Sequence, residues 1–141
     1  MQKVSDLMTR QLVTISSQHT MKNLHDLITK KNIRHIPIMA DNGRGIEGLV
    51  TQKVMISKVI ALLTEFGAEN LIEHEMKTPI GDIAIRDFAT INEDKDLSVA
   101  AEYFLKNKHG CLPVINESNE LVGMLTSSDF IKLSINLLNK T

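Results

Sequence analysis

Short apolar runs alternate along this chain with longer stretches in which apolar residues return every three or four positions. Val4-Ser5-Asp6-Leu7-Met8 is a short amphipathic turn, and Leu12-Val13-Thr14-Ile15 reads as a short strand. From Thr20 to about Lys31, Met21, Leu24, Leu27 and Ile28 fall on one helix face. His35-Ile36-Pro37-Ile38-Met39 reads as a second strand. Pro37 has no N–H to give to a ladder, so that side of the strand is expected to be an edge or to face something other than backbone. Asp41-Asn42-Gly43-Arg44-Gly45 is a turn, and Ile46-Glu47-Gly48-Leu49-Val50 is a third strand. A helix follows from Gln52 to about Thr64, with Val54, Met55, Val59, Leu62 and Leu63 on its apolar stripe.

The same order then recurs. Ile80-Gly81-Asp82-Ile83 repeats the opening turn, Phe88-Ala89-Thr90-Ile91 the first strand, and Leu97 to Lys108 the first helix. Leu112-Pro113-Val114-Ile115 repeats the strand with proline, Asn116 to Asn119 the turn, and Leu121 to Leu125 the third strand. Asp6, Thr14, Ile15 and Pro37 lie 76 positions before Asp82, Thr90, Ile91 and Pro113, and Gly48 and Thr51 lie 75 before Gly123 and Thr126. A register kept through these residues in order marks an internal duplication. It predicts an α/β (α+β) chain of two β-α-β-β-α repeats, 1–64 and 80–141. Each repeat has about 60 residues, near the lower limit for a self-sufficient core. Two such repeats bury their apolar sheet faces by packing sheet to sheet about a pseudo-twofold axis. The stretch 65–79 joins them; Leu71, Ile72 and Met76 make it too apolar for a free linker, so it is expected to be partly helical and packed.

The chemistry concentrates at Gly123-Met124-Leu125-Thr126-Ser127-Ser128-Asp129-Phe130, where a buried strand feeds a helix running to about Leu138. Ser127 is the expected N-cap, and Asp129 falls in the first helical turn, where backbone N–H groups favour a carboxylate. Thr126 and Asp129 stand three apart across the corner, so a hydroxyl and a carboxylate can point at one small molecule. A carboxylate has enough lone pairs to hold both hydroxyls of a ribose diol. A well-capped helix and nothing more is the competing reading.

Composition narrows the classes. The apolar fraction of 43% is that of a globular chain, and the net charge of −1 without a basic stripe gives nucleic-acid binding no support. No apolar run reaches the roughly 18 residues of a membrane span, and the first residues lack a signal-peptide core. Cys111 is the single cysteine, so no internal disulfide forms, and a cytoplasmic location is expected.

Val13-Thr14-Ile15, Ile36-Pro37-Ile38 and Gly48-Leu49-Val50-Thr51, matched by Ala89-Thr90-Ile91, Leu112-Pro113-Val114 and Gly123-Met124-Leu125-Thr126, resemble the CBS domain, the repeat first described in cystathionine β-synthase. The resemblance runs from about Lys3 to Leu138. It implies a tandem CBS pair, or Bateman module: regulatory and not an enzyme, commonly a homodimer, acting on a target protein the sequence does not name. It further implies no cofactor but a regulatory adenosine-type ligand, AMP, ADP, ATP or S-adenosylmethionine, bound in clefts between the repeats. On the second copy, Thr126 and Asp129 match the family's ribose-binding corner, with Ser128 beside them. Thr90, preceded by Ala89, matches the polar position facing the same cleft, and Gly110, Cys111, Leu112 and Pro113 match the strand flanking the base. On the first copy Thr51 is kept, but Val54 stands where Asp129 does. Valine accepts no hydrogen bond, a loss of roughly 1–3 kcal/mol, or about ten- to a hundredfold in affinity. One good site on the second copy is therefore expected, and a degenerate or empty one on the first.

Arg34 and His35, with His109 and Lys108 as near equivalents, are candidates for ligand phosphates; a solvated strand end is the plainer alternative. Arg10 and Arg86 match across the repeat and are expected to be structural. His19, His25 and His74 have no partner at metal-ligand spacing, and no Gly-rich phosphate loop, nucleophile elbow or paired catalytic carboxylates appear. A module that dimerises or docks on a partner without any ligand is the second reading.

Overall fold

The computed structural model describes residues 2–41, 43–107 and 110–140. The chain forms two compact units, Val13–Phe88 and Met1–Leu12 with Ala89–Thr141. The units therefore do not coincide with the sequence repeats, because the opening segment of each repeat belongs with the rest of the other.

In the unit Val13–Phe88, strand β1 (Ile15–Ser16) leads through helix α2 (Met21–Lys31) to β2 (His35–Met39), β3 (Ile46–Thr51) and helix α3 (Gln52–Phe66). The sheet order is β1-β2-β3, with β1 and β2 parallel and β2 and β3 antiparallel. Helix α4 (Leu71–Lys77) follows and packs on α2 and α3. Met21, Leu24, Ile28, Ile36, Ile38, Val50 and Ile80 fill the core. The second unit opens with helix α1 (Val4–Leu7) and continues with β4 (Ile91–Asn92), α5 (Leu97–Lys106), β5 (Cys111–Ile115), β6 (Leu121–Thr126) and α6 (Ser127–Asn139), its sheet ordered β4-β5-β6. Its core joins Val4 and Met8 to Ile91, Leu97, Ala100, Leu112, Val114 and Leu125.

The exchange rests on backbone hydrogen bonds. Thr9 and Met124 bond each other's amides, at 2.8 and 3.0 Å, so the segment after α1 extends the outer edge of β6. Ile85 does the same for Leu49 on β3, at 2.7 and 2.9 Å. Val4 donates to the Lys95 carbonyl and Ile80 to that of His19, again equivalent positions. These bridges also explain the prolines. Leu49 and Met124, opposite Pro37 and Pro113, spend their amides on the outer side. Each proline nitrogen thus faces away from that neighbour, toward β1 or β4, which pair only from Ile38 or Val114 onward. Pro37 lies on a central strand, yet its missing N–H costs no ladder bond.

Several elements differ from the sequence reading. The strands expected from Leu12 and from Phe88 shrink to Ile15–Ser16 and Ile91–Asn92, because only those residues find partners on β2 and β5. Helix α3 runs on to Phe66, where Gly67 at φ 84° ends it, and α5 stops at Lys106. The cap of α6 is Thr126 and not Ser127: the last strand residue keeps extended torsions, φ −126° and ψ 161°, and caps the helix directly. Among the described residues no helix is long and apolar enough to cross a membrane.

The fit at β6 is tight. A Cβ on Gly123 would lie 2.5 Å from the Met8 sulfur and 3.0 Å from the Thr9 carbonyl oxygen, whereas one on Gly48 would meet nothing nearer than 3.3 Å. Gly123→Ala is expected to cost about 1–3 kcal/mol, and Gly48→Ala clearly less, in urea unfolding. Equal losses would contradict the packing of Met8 on β6.

Candidate functional site

The corner between β6 and α6 is built by a reciprocal cap. The Asp129 carboxylate accepts through Oδ2 from the Thr126 N–H at 2.8 Å and from the Thr126 hydroxyl at 3.2 Å. The same hydroxyl lies 2.8 Å from Ser128 Oγ. Oδ1 of Asp129 takes no hydrogen bond from the described residues, and the side chain is only partly buried. The corner thus fixes a carboxylate at a helix N-terminus with one oxygen committed to the fold and one open, beside an exposed Ser128 hydroxyl.

Strand β5 forms the adjoining wall. Cys111 stands opposite Thr126, and Gly110 accepts from the Ser127 N–H at 3.1 Å. A Cβ on Gly110 would lie 3.2 Å from Ser127 Oγ, so glycine keeps this approach open. Leu112 and Pro113 are buried. Ala89, partly buried, and Thr90, exposed, precede β4, whose Ile91 is paired with Val114 of β5. The Cys111 thiol is pushed up to about 12, first by burial and then by the negative charge of Asp129, so it stays protonated.

In the unit Val13–Phe88 the equivalent corner is different. Thr51 caps α3 by accepting from the Val54 N–H at 3.1 Å, with no side chain to reciprocate. Val54 packs on the core. His35, opposite Thr51, is held below its ordinary value by burial and then by the charge of Arg34, which itself is exposed. The structure therefore brings Thr126, Ser128, Asp129, Gly110, Cys111, Leu112, Pro113, Ala89 and Thr90 into one unit, and places Arg34, His35 and Thr51 in the other. His109 and Lys108 lie outside the described residues. Arg10 donates to the Ser5 carbonyl at 3.1 Å and Arg86 stands 3.7 Å from Glu47, both local structural contacts.

One polar pair escaped the sequence reading. Glu75, 1% exposed, receives His25 Nδ1 at 2.7 and 3.1 Å. The two are 50 positions apart, and neither carries a spacing signal.

The pH dependence follows from Cys111 and His35. Raising the thiol from its ordinary 9.0 favours the folded chain below that value, and the benefit is lost as pH climbs toward 12. Lowering the His35 value favours the folded chain above the ordinary imidazole range, and that benefit is lost on acidification. Denaturant unfolding should show an alkaline loss of stability that Cys111→Ala lacks. An identical slope in both proteins would contradict the burial of the thiol.

Comparison with known proteins places this architecture. The family model described as CBS domain matches residues 4–65 and again 80–136. A protein from Vibrio cholerae named for acetoin utilization (AcuB) is 32% identical, with a TM-score of 0.79, the match covering 99% of this chain and 94% of that one. CBSX2 from Arabidopsis thaliana, solved in complex with AMP, shares the fold at 21% identity, 97% and 98% coverage and a TM-score of 0.79. The CBS domain pair of protein MJ0100, solved with 5-methylthioadenosine and S-adenosyl-L-methionine, does so at 24% identity, 94% and 98% coverage and a TM-score of 0.74. Homoserine O-acetyltransferase of Methanosarcina acetivorans is 26% identical over 130 residues, 92% of this chain but 21% of that enzyme. The chain thus spans about a fifth of such curated relatives. With both repeats matched and the fold shared over nearly its whole length, the chain belongs to the CBS-domain family, as a tandem pair.

Proposed function

We propose that this chain is a regulatory module that senses an adenosine-type ligand, AMP, ADP, ATP or S-adenosylmethionine, at the corner of β6 and α6, and controls a partner protein. The observation that carries the reading is the Thr126–Asp129 cap, with Oδ1 of the carboxylate open beside Ser128. The carboxylate and Thr126 hold the ribose hydroxyls. Gly110, Cys111, Leu112, Pro113 and Ala89 flank the base, and Thr90 bonds nearby. A purine nucleoside needs an apolar slot with few polar groups, and the residues matched to this role are mostly apolar. The AMP complex of CBSX2 and the S-adenosylmethionine complex of MJ0100 support this ligand class. The Thr51–Val54 corner offers no carboxylate, so one site per chain is expected.

Calorimetry with AMP, ADP, ATP and S-adenosylmethionine tests this. One of them should bind at one site per chain, and Asp129→Asn should weaken it by about ten- to a hundredfold, the usual penalty for unpairing a bound hydroxyl. Two sites per chain would contradict the reading of Val54. Silence from all four would leave the ligand-free docking module, which Val54 alone favours.

The module is further proposed to work as a homodimer. On α3, Ile56, Ile60 and Leu63 are exposed at one helix spacing, and on α6 so are Ile131, Ile135 and Leu138, each 75 positions later. Two equivalent uncovered stripes suit a self-complementary, two-fold contact with a second copy. Sedimentation should find a dimer that Ile60→Glu combined with Ile135→Glu converts to monomer; a wild-type monomer would refute it.

A further inference from the structure

We propose that the face formed by α5 and α6 docks an amphipathic helix of a partner protein, seated as α4 is seated on α2 and α3. The proposal rests on the duplication and stands whether or not a ligand binds at Asp129.

In the unit Val13–Phe88, α4 lies against α2 and α3. Its inward residues are Leu71, packed on the core that includes Leu62, and Glu75, buried and bonded to His25. Thr29 and Lys30 of α2 line the groove beside them. Helices α5 and α6 repeat α2 and α3 at 76 and 75 positions, but no described helix packs on them as α4 does. Burial records the difference. Leu62 is 5% exposed and its counterpart Leu137 is 55% exposed, although Leu137 continues the stripe of Phe130 and Leu133 that packs on the core. Leu105, in the place of Thr29, is 87% exposed. Ile28 and Met55 are buried, whereas their counterparts Phe104 and Phe130, in edge contact at 5.7 Å, are only partly so. Leu105 and Leu137 are not part of the stripe proposed for the homodimer.

The residues that differ between the two faces specify the occupant. Ala101 stands where His25 does, so a carboxylate in the place of Glu75 would be buried without a partner. The docking helix therefore carries apolar residues at both inward positions, four apart. Lys22 pairs with Asp26 on α2, but Ser98 replaces that lysine on α5, and Glu102 and Lys106 make no ion pair among the described residues. A base on the docking helix against Glu102 and an acid against Lys106 complement them and set its direction.

The probe is the α4 segment, residues 67–77, carrying Glu75→Leu and joined after Thr141, the counterpart of Phe66. Tethering offsets the weak helicity of a short peptide. Hydrogen exchange of the extended chain should slow in α6 around Leu137 about tenfold or more relative to a scrambled extension. An extension that keeps Glu75 should lose about tenfold or more of that protection, the penalty for a buried unpaired carboxylate, and Ala101→His in the chain should restore it. Leu105→Ser and Leu137→Ser, both at exposed positions, should each weaken the protection. The proposal is overturned if the joined segment protects no better than its scrambled version or if Glu75→Leu makes no difference. It is also overturned if exchange around Leu105 and Leu137 slows with the concentration of the unextended chain, which would make a second copy the occupant.

Discussion

The outer edges of β3 and β6 must find hydrogen-bond partners, and most of the structure follows from how they do. Leu49 and Met124 turn their amides away from the neighbouring strand, and unpaired backbone at a buried edge is costly. Ile85 and Thr9 meet that need, each supplied by the opening segment of the other repeat. The bond geometry carries the packing with it. Val4 and Ile80, which open the two segments, are fully buried in cores built by the other repeat's sheet and helices. Each repeat thus supplies the other with an edge partner and part of its core.

That exchange also frees the middle strands to carry proline. Because β3 and β6 bond outward at Leu49 and Met124, Pro37 and Pro113 face them without owing an N–H. The strands then deliver His35 and Cys111 beside the first residues of α3 and α6. Strand, cap and helix therefore meet at a corner in each unit, on one backbone plan.

The two corners share the plan and differ in chemistry. One has Gly110, Cys111 and Asp129; the other has Arg34, His35 and Val54. Asp129 closes a two-way cap and keeps an open oxygen, while Val54 turns into the core and leaves Thr51 to cap alone. Buried Cys111 stays a neutral thiol beside a carboxylate, and half-buried His35 is driven toward its neutral form beside a guanidinium. A duplicated scaffold has thus kept its backbone and let its side chains diverge.

What the sequence determined by itself was local or periodic. Apolar spacing set the helix faces of α2 and α3, the register of 76 and 75 positions exposed the duplication, and Thr126 with Asp129 named the capped corner because a cap needs only three residues of chain. The N-cap lies at Thr126, one residue before the expected Ser127, since the strand's last residue can itself take the cap torsions, which no side-chain pattern reveals. Tertiary structure alone decided the long-range pairings. Thr9 with Met124, and His25 with Glu75, join positions whose residue types carry no mutual signal; backbone amides are the same at every residue, and a buried carboxylate is recognised only once its surroundings are built. The strands are shorter than the apolar runs before Ile15 and Ile91 for the same reason: an apolar run says that a segment will be buried, but only the partner strand says how much of it is paired.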